Sequence, residues 1–292
     1  MPAAETIGDV LLRGWPLPKP GAGGKDERGR VFVVAGAPQM PGAAILTATA
    51  TLRAGAGKLQ IGTCRSVAAH VATAVPESLV VALDETPSGA VAPAGAAAIA
   101  EHANHADALV IGPGMVDQVV TAALLRALAS RLTVPAVVDA AALACFAGDP
   151  GVFARHEGRI VLTPHGGELA SMIALPRETI ENDPARYALE AARRFRAVVA
   201  LKGARTFIAD PAGALYCNVS GDVGLATSGS GDTLAGIVGG LLARGATPLQ
   251  AAVWGVYVHA RAGERLGERM GLGFLARELL AEIPPLLRAL AS

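Results

Sequence analysis

Cysteine and aromatic residues are scarce in this chain, and neither charge sign predominates. The three cysteines among 292 residues, Cys64, Cys145 and Cys217, are too few and too widely spaced for a disulfide framework, and no Cys-x-x-Cys metal motif occurs. The 25 Lys and Arg residues offset the 25 Asp and Glu residues, so electrostatic attraction to nucleic acid or to an anionic membrane is not expected. These features exclude a disulfide-stabilised scaffold and a basic nucleic-acid binder.

Long uninterrupted hydrophobic stretches are also lacking. Residues 31–52 form the longest uncharged run, but Pro38, Pro41 and Gly42 interrupt it. The run is therefore typical of a strand, a turn and a helix rather than of a membrane span. The first residues of the chain carry charges and have no apolar core, so they do not resemble a signal peptide. We expect a cytoplasmic protein.

The composition favours a packed globular domain. Apolar residues make up 52% of the chain, which is enough to bury a sizeable core and excludes general disorder. The 35 glycines suit close packing of helices on a sheet and close approach of the backbone to a ligand. We expect one domain over residues 1–292, since a single α/β domain of this length is ordinary.

Short β-branched runs alternate with helical stretches along most of the chain. Because the runs are apolar on consecutive residues, they are typical of strands buried on both faces. The alternation predicts a mainly parallel central sheet with helices on both faces, and a hairpin pattern at 206–218 predicts a small antiparallel patch near one edge. The predicted strands are 31–35, 59–62, 108–112, 136–139, 159–163 and 198–202, and the predicted helices include 42–54, 117–132, 184–195, 231–243 and 275–290. The last helix contains Pro284 and Pro285, which predict a kink or a break.

The strongest local signal is the tetrapeptide Gly229-Ser230-Gly231-Asp232, which follows a loop and precedes an apolar-periodic helix. The unpaired N–H groups of a first helical turn attract anions, and glycines let the backbone approach a phosphate. Asp232 is well placed there to take a proton from a hydroxyl that receives a phosphoryl group. The alternative is that Asp232 only complements the helix dipole while the glycines serve a tight turn. The tetrapeptide alone does not decide between these two interpretations.

Several common catalytic motifs are absent. No Gly-x-x-x-x-Gly-Lys-Ser/Thr occurs, which excludes a P-loop protein, and Leu234 stands where a dinucleotide fingerprint would have its third glycine. The sequence also lacks a Gly-x-Ser-x-Gly nucleophile elbow and a His-Glu-x-x-His zinc motif. These absences argue against a conventional dehydrogenase, an α/β-hydrolase and a zinc protease.

Four further turns lie where a parallel sheet would bind a ligand, since ligands gather at the carboxyl ends of its strands. Together with the glycine-rich tetrapeptide they favour a ligand-binding crevice. The turns are 41–44, 112–115, 163–168 with His165 and Glu168, and 202–206 with Lys202 and Arg205.

Each of these turns also has a simpler explanation. Taken alone, His165 is better explained as a loop histidine bonded to the backbone, and Glu168 is explained equally well as a first-turn carboxylate. Residues 202–206 would then be an ordinary turn between strands with two surface cations. His259 lies in an apolar helical pattern, and we expect a buried, hydrogen-bonded residue there rather than a ligand-binding one.

Taken in order, these motifs resemble the ADP-dependent NAD(P)H-hydrate dehydratase family of the ribokinase-like superfamily. The similarity extends from about residue 31 to residue 290, and the glycine-rich tetrapeptide alone would indicate only the superfamily. The matching segments are Met40-Pro41-Gly42-Ala43, Ile111-Gly112-Pro113-Gly114, Leu162-Thr163-Pro164-His165-x-Gly167-Glu168, Leu201-Lys202-Gly203-Ala204-x-Thr206 and Gly229-Ser230-Gly231-Asp232.

The resemblance implies an enzyme that repairs hydrated nicotinamide nucleotides. Its substrates would be the S-epimers of NADHX and NADPHX, in which water has added to the reduced ring. Phosphoryl transfer from ADP, or from ATP in some relatives, to the ring hydroxyl would make a good leaving group. Elimination would then restore NAD(P)H and leave AMP and phosphate.

The resemblance also assigns roles to individual residues by motif match. It implies that the hydrate is contacted by Ala43, Gly114, His165 and Asp232, with Asp232 as the base. It implies that the adenine nucleotide lies along Lys202, Gly203, Ala204, Arg205, Thr206 and Gly231. Magnesium is expected because phosphoryl transfer leaves charge to neutralise, and without a dense carboxylate cluster it would be held mostly by phosphates and water.

Further expectations concern partners and departures from the family pattern. The resemblance implies a homo-oligomer, with a tetramer expected, and a separate NAD(P)HX epimerase, because the chain begins too near its first predicted strand to include that domain. Gly166 stands where the family often has Pro, which loosens the predicted turn at His165, and Ser228 stands where it often has Gly.

Two other functions are compatible with the same motifs. One is a kinase of the same superfamily that phosphorylates a vitamin or sugar hydroxyl, and the other is a non-catalytic nucleotide-binding protein. The segments around His165 and Lys202 favour the dehydratase over the kinase. The intact tetrapeptide with Asp232 argues against a non-catalytic protein.

Overall fold

The computed structural model describes residues 3–19 and 24–291, and a ten-stranded sheet forms its centre. The strands lie in the order β1-β10-β9-β8-β7-β6-β5-β2-β3-β4. Their bounds are β1 Glu5–Thr6, β2 Arg30–Val34, β3 Lys58–Cys64, β4 Ser78–Leu83, β5 Ala108–Ile111, β6 Ala136–Val138, β7 Ile160–Leu162, β8 Val198–Leu201, β9 Thr206–Ala209 and β10 Leu215–Asn218.

The predicted sheet is confirmed in its main features. Strands β2 to β8 pair in parallel, whereas β9 pairs antiparallel with both β8 and β10 and so forms the small antiparallel patch. Two strands have no counterpart in the sequence-based prediction, β4 at one edge of the sheet and β1 at the other. Strand β1 gives no apolar signal because both of its residues, Glu5 and Thr6, are exposed.

Eleven α-helices in the described ranges surround the sheet, and none of them is long and apolar enough to span a membrane. Several short helices, including α6, lie outside the predicted set. The helices are α1 Asp9–Gly14, α2 Pro41–Arg53, α3 Ala68–Ala74, α4 Ala96–Asn104, α5 Gln118–Ala129, α6 Gly166–Ile173, α7 Arg177–Asn182, α8 Pro184–Phe195, α9 Ser230–Ala243, α10 Pro248–Met270 and α11 Ala276–Ala291.

Of the kink or break predicted in the final helix, the break is wrong. Helix α11 continues through Pro284 and Pro285. Its buried face contains Ile283 and Leu286, which anchor both halves in the core, while Pro285 is exposed. Carbonyl groups that lose their helical N–H partner at the outer face can be solvated by water, so packing outweighs the cost of the prolines.

Alternating residues of the central strands build two separate cores, one on each face of the sheet. In β2, Phe32 and Val34 contribute to the core beneath α4, α5 and α8, whereas Val31 and Val33 contribute to the core beneath α2, α9 and α10. All four side chains are at most 1% exposed. This two-sided burial explains why the strand sequences are apolar on consecutive residues.

Glycines allow α9 to lie unusually close to its neighbours. A Cβ atom at Gly236 would lie 2.2 Å from the Thr47 carbonyl oxygen of α2, and one at Gly240 would lie 2.5 Å from that of Thr51. On the sheet side, a Cβ at Gly239 would lie 2.1 Å from Cγ2 of Val110. The glycine spacing therefore sets the position of α9 between α2 and the sheet.

We predict that Gly236→Ala lowers the free energy of unfolding by about 1–3 kcal/mol, because the added methyl group overlaps backbone that cannot move without displacing α2. The matched control is Gly42→Ala in α2, where a Cβ meets nothing within 4 Å. That control should be neutral or stabilising by up to about 1 kcal/mol. Urea denaturation of both variants measures the difference, and equal stabilities would contradict the proposed packing.

Candidate active site

The carboxyl ends of five parallel strands lie at the same end of the sheet, and a chemically distinctive residue follows each of them. Gly36 follows β2, Gly112 follows β5, and Asp139, Thr163 and Lys202 follow β6, β7 and β8. The last three of these residues contact one another. Gly112 packs against the backbone of Asp139, since a Cβ added to Gly112 would lie 1.9 Å from the carbonyl oxygen of Asp139. The predicted crevice at the carboxyl ends of the strands is thus formed mainly by side chains from β6 to β8.

Helix α9 begins at the same end of the sheet, near the carboxyl ends of these strands. Its N-cap residue Gly229 has φ +87° and provides no side-chain cap. The Ser230 N–H donates to the Thr227 carbonyl at 3.3 Å, which leaves the N–H groups of Gly231 and Asp232 as the first-turn donors without a helical acceptor. A Cβ at Gly229 would lie 2.5 Å from Cδ1 of Leu46. A glycine is therefore required at this turn for both its conformation and its contact with α2.

A buried ion pair connects the strand ends to α9. The Nζ atom of Lys202 donates a hydrogen bond to Oδ1 of Asp139 at 3.1 Å, and the Thr163 hydroxyl donates to the same oxygen at 2.7 Å. Nζ also lies 3.9 Å from Oε2 of Glu168, and a Cβ at Gly231 would lie 3.5 Å from Nζ. Lys202 therefore holds a positive charge beside the first turn of α9.

The carboxylates determine the charge state of Lys202. Burial acts to lower the pKa of Lys202, but the negative charges of Asp139 and Glu168 outweigh burial and keep the pKa above its usual value. The sequence-based alternative of a turn with two surface cations is therefore wrong for Lys202, whose side chain is 23% exposed, and right for Arg205, which is exposed.

Asp139 is a candidate site residue that the sequence motifs do not indicate. It is 2% exposed and lies directly after β6. The available signal was an acidic residue at the carboxyl end of an apolar strand, since a buried carboxylate requires a partner. That partner, Lys202, lies 63 residues further along the chain, so spacing alone could not reveal the pair.

Asp232 lies in the first turn of α9 and has the strongest electrostatic signature of a base. Burial, reinforced by the negative charge of Asp139 and opposed by Lys202, raises the pKa of Asp232 to about 6. No group in the described ranges donates a hydrogen bond to its carboxylate, whereas its backbone carbonyl accepts one from the Thr47 hydroxyl at 3.1 Å. Asp232 is thus anchored by its backbone and has free carboxylate oxygens.

His165 caps α6 through its side chain. Its Nδ1 atom accepts hydrogen bonds from the backbone N–H groups of Gly167 at 3.0 Å and Glu168 at 3.2 Å. The Glu168 carboxylate in turn accepts a hydrogen bond from the backbone N–H of His165 at 2.7 Å. The interpretation as a histidine bonded to the backbone is confirmed, and Gly166 leaves the ring well fixed rather than loose. The Nε2 atom lies 3.6 Å from Oε1 of Glu168, and 57% of the side chain is exposed.

Ala43 and Gly114 lie against each other. Gly114 has φ +63°, and a Cβ there would lie 2.4 Å from Cβ of Ala43 and 3.0 Å from the Met40 carbonyl oxygen. Both residues are buried. The structure therefore brings together two of the segments that the resemblance assigns to the hydrate. Ala43 lies in α2, the helix that also contacts Asp232 through Thr47.

The segment from Lys202 to Arg205 borders a cavity of about 560 Å³. Its walls combine apolar side chains with charged ones, which is typical of a nucleotide or cofactor pocket. The lining residues are Gly166, Ile180, Glu181, Pro184, Leu201, Lys202, Gly203, Ala204, Arg205 and Phe207. Lys202 lies between this cavity and the first turn of α9.

The fold and the candidate site at the carboxyl ends of the strands define a class of protein. A ribokinase-like protein from Enterococcus faecalis is similar over 99% of this chain and 96% of its own, with a TM-score of 0.84 at 24% identity, which shows the fold. The family model described as NAD(P)H-hydrate dehydratase matches residues 31–285. The chain belongs to the NAD(P)H-hydrate dehydratase family.

Individual relatives agree with this assignment. The ADP-dependent (S)-NAD(P)H-hydrate dehydratase of Xanthomonas campestris is 46% identical over 98% of this chain and 97% of its own. A structure of the ADP/ATP-dependent NAD(P)H-hydrate dehydratase of Bacillus subtilis, co-crystallised with ATP and Mg²⁺, has a TM-score of 0.80 at 27% identity over 98% of this chain and 99% of that one. The bifunctional NAD(P)H-hydrate repair enzyme of Moorella thermoacetica is 41% identical, and this chain spans 54% of it.

We predict that Asp232→Asn stabilises the protein at neutral pH. The folded carboxyl group has a pKa of about 6 and the unfolded one of 3.8, so ionisation destabilises the folded state as the pH rises through that window. The variant should exceed the wild type by on the order of 1–3 kcal/mol at pH 8 and by much less at pH 4.

Asp107→Asn is the matched control. Partial burial acts to raise the pKa of Asp107, but the hydrogen bonds and charge of Arg30 outweigh it and hold the pKa below its usual value. This variant should therefore lose stability at pH 8. Thermal unfolding at both pH values measures the sign of each effect, and a destabilised Asp232→Asn at pH 8 would contradict the raised pKa.

Proposed function

We propose that this protein catalyses the ADP-dependent dehydration of the S-epimers of NADHX and NADPHX to NAD(P)H, releasing AMP and phosphate. The observation that carries the proposal is the free Asp232 carboxylate with its raised pKa, which lies beside Lys202 in an uncapped first helical turn. Membership of the dehydratase family supports the choice of substrate.

The phosphates of the nucleotide would bind at the start of α9. Its free N–H groups and the Lys202 charge complement an anion, and Gly231 leaves room for it because no side chain intervenes before Nζ. The adenosine portion would lie along residues 202–206, with the neighbouring cavity of about 560 Å³ offering apolar walls from Ile180, Leu201 and Phe207. Arg205 belongs to this segment and is exposed, so its side chain can pair with a phosphate.

The hydrate would lie against Ala43, Gly114 and His165. The close packing of Gly114 on Ala43 provides a fixed surface, and the His165 side chain, which is 57% exposed, offers a polar contact. Because Thr47 joins α2 to the Asp232 carbonyl, movement of the base relative to Ala43 is restricted. This restriction favours the alignment that phosphoryl transfer needs.

The chemistry then follows from these positions. Asp232 accepts the proton of the ring hydroxyl, whose oxygen forms a bond to the terminal phosphorus of ADP while the bond to AMP breaks. The N–H groups of α9 and Lys202 stabilise the charge on the transferring group. The ring carbon–oxygen bond then breaks, a proton leaves the neighbouring carbon, and the products are phosphate and NAD(P)H.

Magnesium would be bound chiefly by phosphate oxygens and water. In the described ranges no three His, Cys, Asp or Glu side chains converge as a metal site, and Asp139 and Glu168 already bind Lys202 and the α6 N-terminus. When bound, the ion would neutralise phosphate charge. We also propose that a separate epimerase supplies the S-epimer. A single domain over residues 1–292, a homotetramer and a cytoplasmic location stay predictions.

We predict that Asp232→Asn lowers turnover about 10²- to 10⁴-fold, the usual contribution of a positioned base, while ADP binding is largely retained. Recovery of the reduced-nicotinamide absorbance from hydrated NADH with ADP measures turnover, and calorimetry measures ADP binding. Wild-type turnover should rise with pH through about 6, where Asp232 loses its proton.

The same assay separates the alternative functions. A kinase would accumulate a stable phosphorylated substrate, whereas the dehydratase releases inorganic phosphate with restored absorbance. Absence of turnover with either ADP or ATP would support a non-catalytic nucleotide-binding protein. Near-normal turnover of Asp232→Asn would remove this residue from the mechanism.

We predict that His165→Ala raises the KM for the hydrate more than the KM for ADP, and also costs about 0.5–2 kcal/mol of stability because α6 loses its cap. His165→Asn is the matched control, since an asparagine oxygen can cap the same N–H groups. The asparagine variant should recover stability while keeping the raised hydrate KM. Steady-state kinetics with each substrate varied measure the split, and a larger rise in the ADP KM would mean that the two ligands are placed the wrong way round.

A further inference from the structure

A buried histidine outside the proposed ligand contacts touches the first turn of α9. His259 lies in α10, is 9% exposed, and places its Nε2 atom 3.0 Å from the carbonyl oxygen of Ser230 and 3.0 Å from the Ser230 hydroxyl oxygen. Ser230 itself is buried and is two residues from Asp232. The sequence-based expectation of a buried, hydrogen-bonded histidine is thus confirmed, and its partner is the proposed catalytic turn.

The contact determines the tautomer of His259. A carbonyl oxygen only accepts hydrogen bonds, so Nε2 must carry the hydrogen that is shared between the two Ser230 oxygens. Burial, reinforced by the Lys202 charge and opposed by the hydrogen bond to Ser230, lowers the pKa of His259 to about 4. The ring is therefore neutral at physiological pH and acts as a hydrogen-bond donor through Nε2.

Local hydrogen bonds restrain the first turn of α9 in part, since the Ser230 N–H donates to the Thr227 carbonyl at 3.3 Å and the Thr233 hydroxyl donates to the Gly229 carbonyl at 3.2 Å. Its N-cap Gly229 lacks a side-chain cap and has a left-handed conformation. Within the described ranges, the side chains of other elements that hydrogen-bond to Ser230 or Asp232 are His259 from α10 and Thr47 from α2. The turn is thus held from two sides, by one donor to Ser230 and one to the backbone of Asp232.

We propose that His259 is a positioning residue that fixes the first turn of α9, and with it the Asp232 carboxylate, through the Nε2–H bond to Ser230. The proposal rests on the proposed role of Asp232 as the base. Loss of the donor would leave the buried hydroxyl oxygen of Ser230 without its His259 partner, would remove one of the hydrogen bonds to the Ser230 carbonyl, and would allow the turn to shift. Because misplacement of a reacting group by about 1 Å can cost about 100-fold in rate, the effect should appear in kcat.

The test compares His259 variants with a matched control on the same helix. His259→Leu and His259→Phe remove the donor, and either one that folds serves the purpose, whereas His259→Gln retains an N–H donor of similar reach. Tyr257→Phe is the control, since it removes one buried hydrogen bond from α10, that of Tyr257 Oη to Asp9 Oδ1 at 2.6 Å, away from α9.

We expect the donor-free variants to lower kcat about 10- to 100-fold while the KM for ADP changes by less than about threefold. His259→Gln should retain kcat within about threefold. Tyr257→Phe should lower the Tm and leave kcat within about twofold. Equal kcat values for Tyr257→Phe and a donor-free His259 variant of similar Tm would overturn the proposal, as would failure of glutamine to restore kcat.

A double-variant cycle separates this proposal from the proposed function. If His259 acts through Asp232, a donor-free substitution should lower kcat by less than about threefold in the Asp232→Asn background. A full 10- to 100-fold loss in that background would show that His259 acts elsewhere, while the base assignment stands. Normal turnover of Asp232→Asn alone would instead overturn the base assignment and, with it, the route proposed for His259.

Discussion

The structure depends on the close approach of α9 to α2 and to the sheet. Gly236 and Gly240 face backbone carbonyl groups of α2, and Gly239 faces Val110 of the sheet, at distances that leave no space for a Cβ atom. This packing places the N-terminus of α9 at the carboxyl ends of β6 and β8. The dipole of the helix and its free N–H groups take their positions from that constraint, and hydrogen bonds from Thr47 and His259 add to it at Asp232 and Ser230.

The electrostatics of the site follow from one buried cation among three carboxylates. Lys202 is neutralised mainly by Asp139, to which it is hydrogen-bonded, and Glu168 is further away. The positive charge of Lys202 acts mainly on Asp139. The negative charge of Asp139 therefore still adds to burial in raising the pKa of Asp232 to about 6. A carboxylate with this pKa is ionised near neutrality and still more basic than an exposed aspartate, which suits proton abstraction from an alcohol.

Structural and functional interpretations of the same residue are compatible in this protein. His165 uses Nδ1 to cap α6, while 57% of its side chain remains exposed to a ligand. Asp232 lies in a first helical turn, as the simpler interpretation requires, and yet its carboxylate accepts no hydrogen bond within the described ranges. A residue that is fixed by a structural role loses little further entropy when it binds a substrate.

The sequence by itself determined six strands of the parallel sheet (β2, β3 and β5 to β8), the antiparallel hairpin and the glycine-rich start of α9, because hydrophobic periodicity, turn chemistry and helix-start signals are local. It also predicted that Asp232, His165 and the 202–206 segment border a crevice. Only the tertiary structure decided that Lys202 pairs with Asp139, that His259 contacts Ser230 and that α11 continues through its prolines. Those outcomes depend on which distant side chains are buried together, and burial sets both the strength of a charge interaction and the cost of an unpaired group.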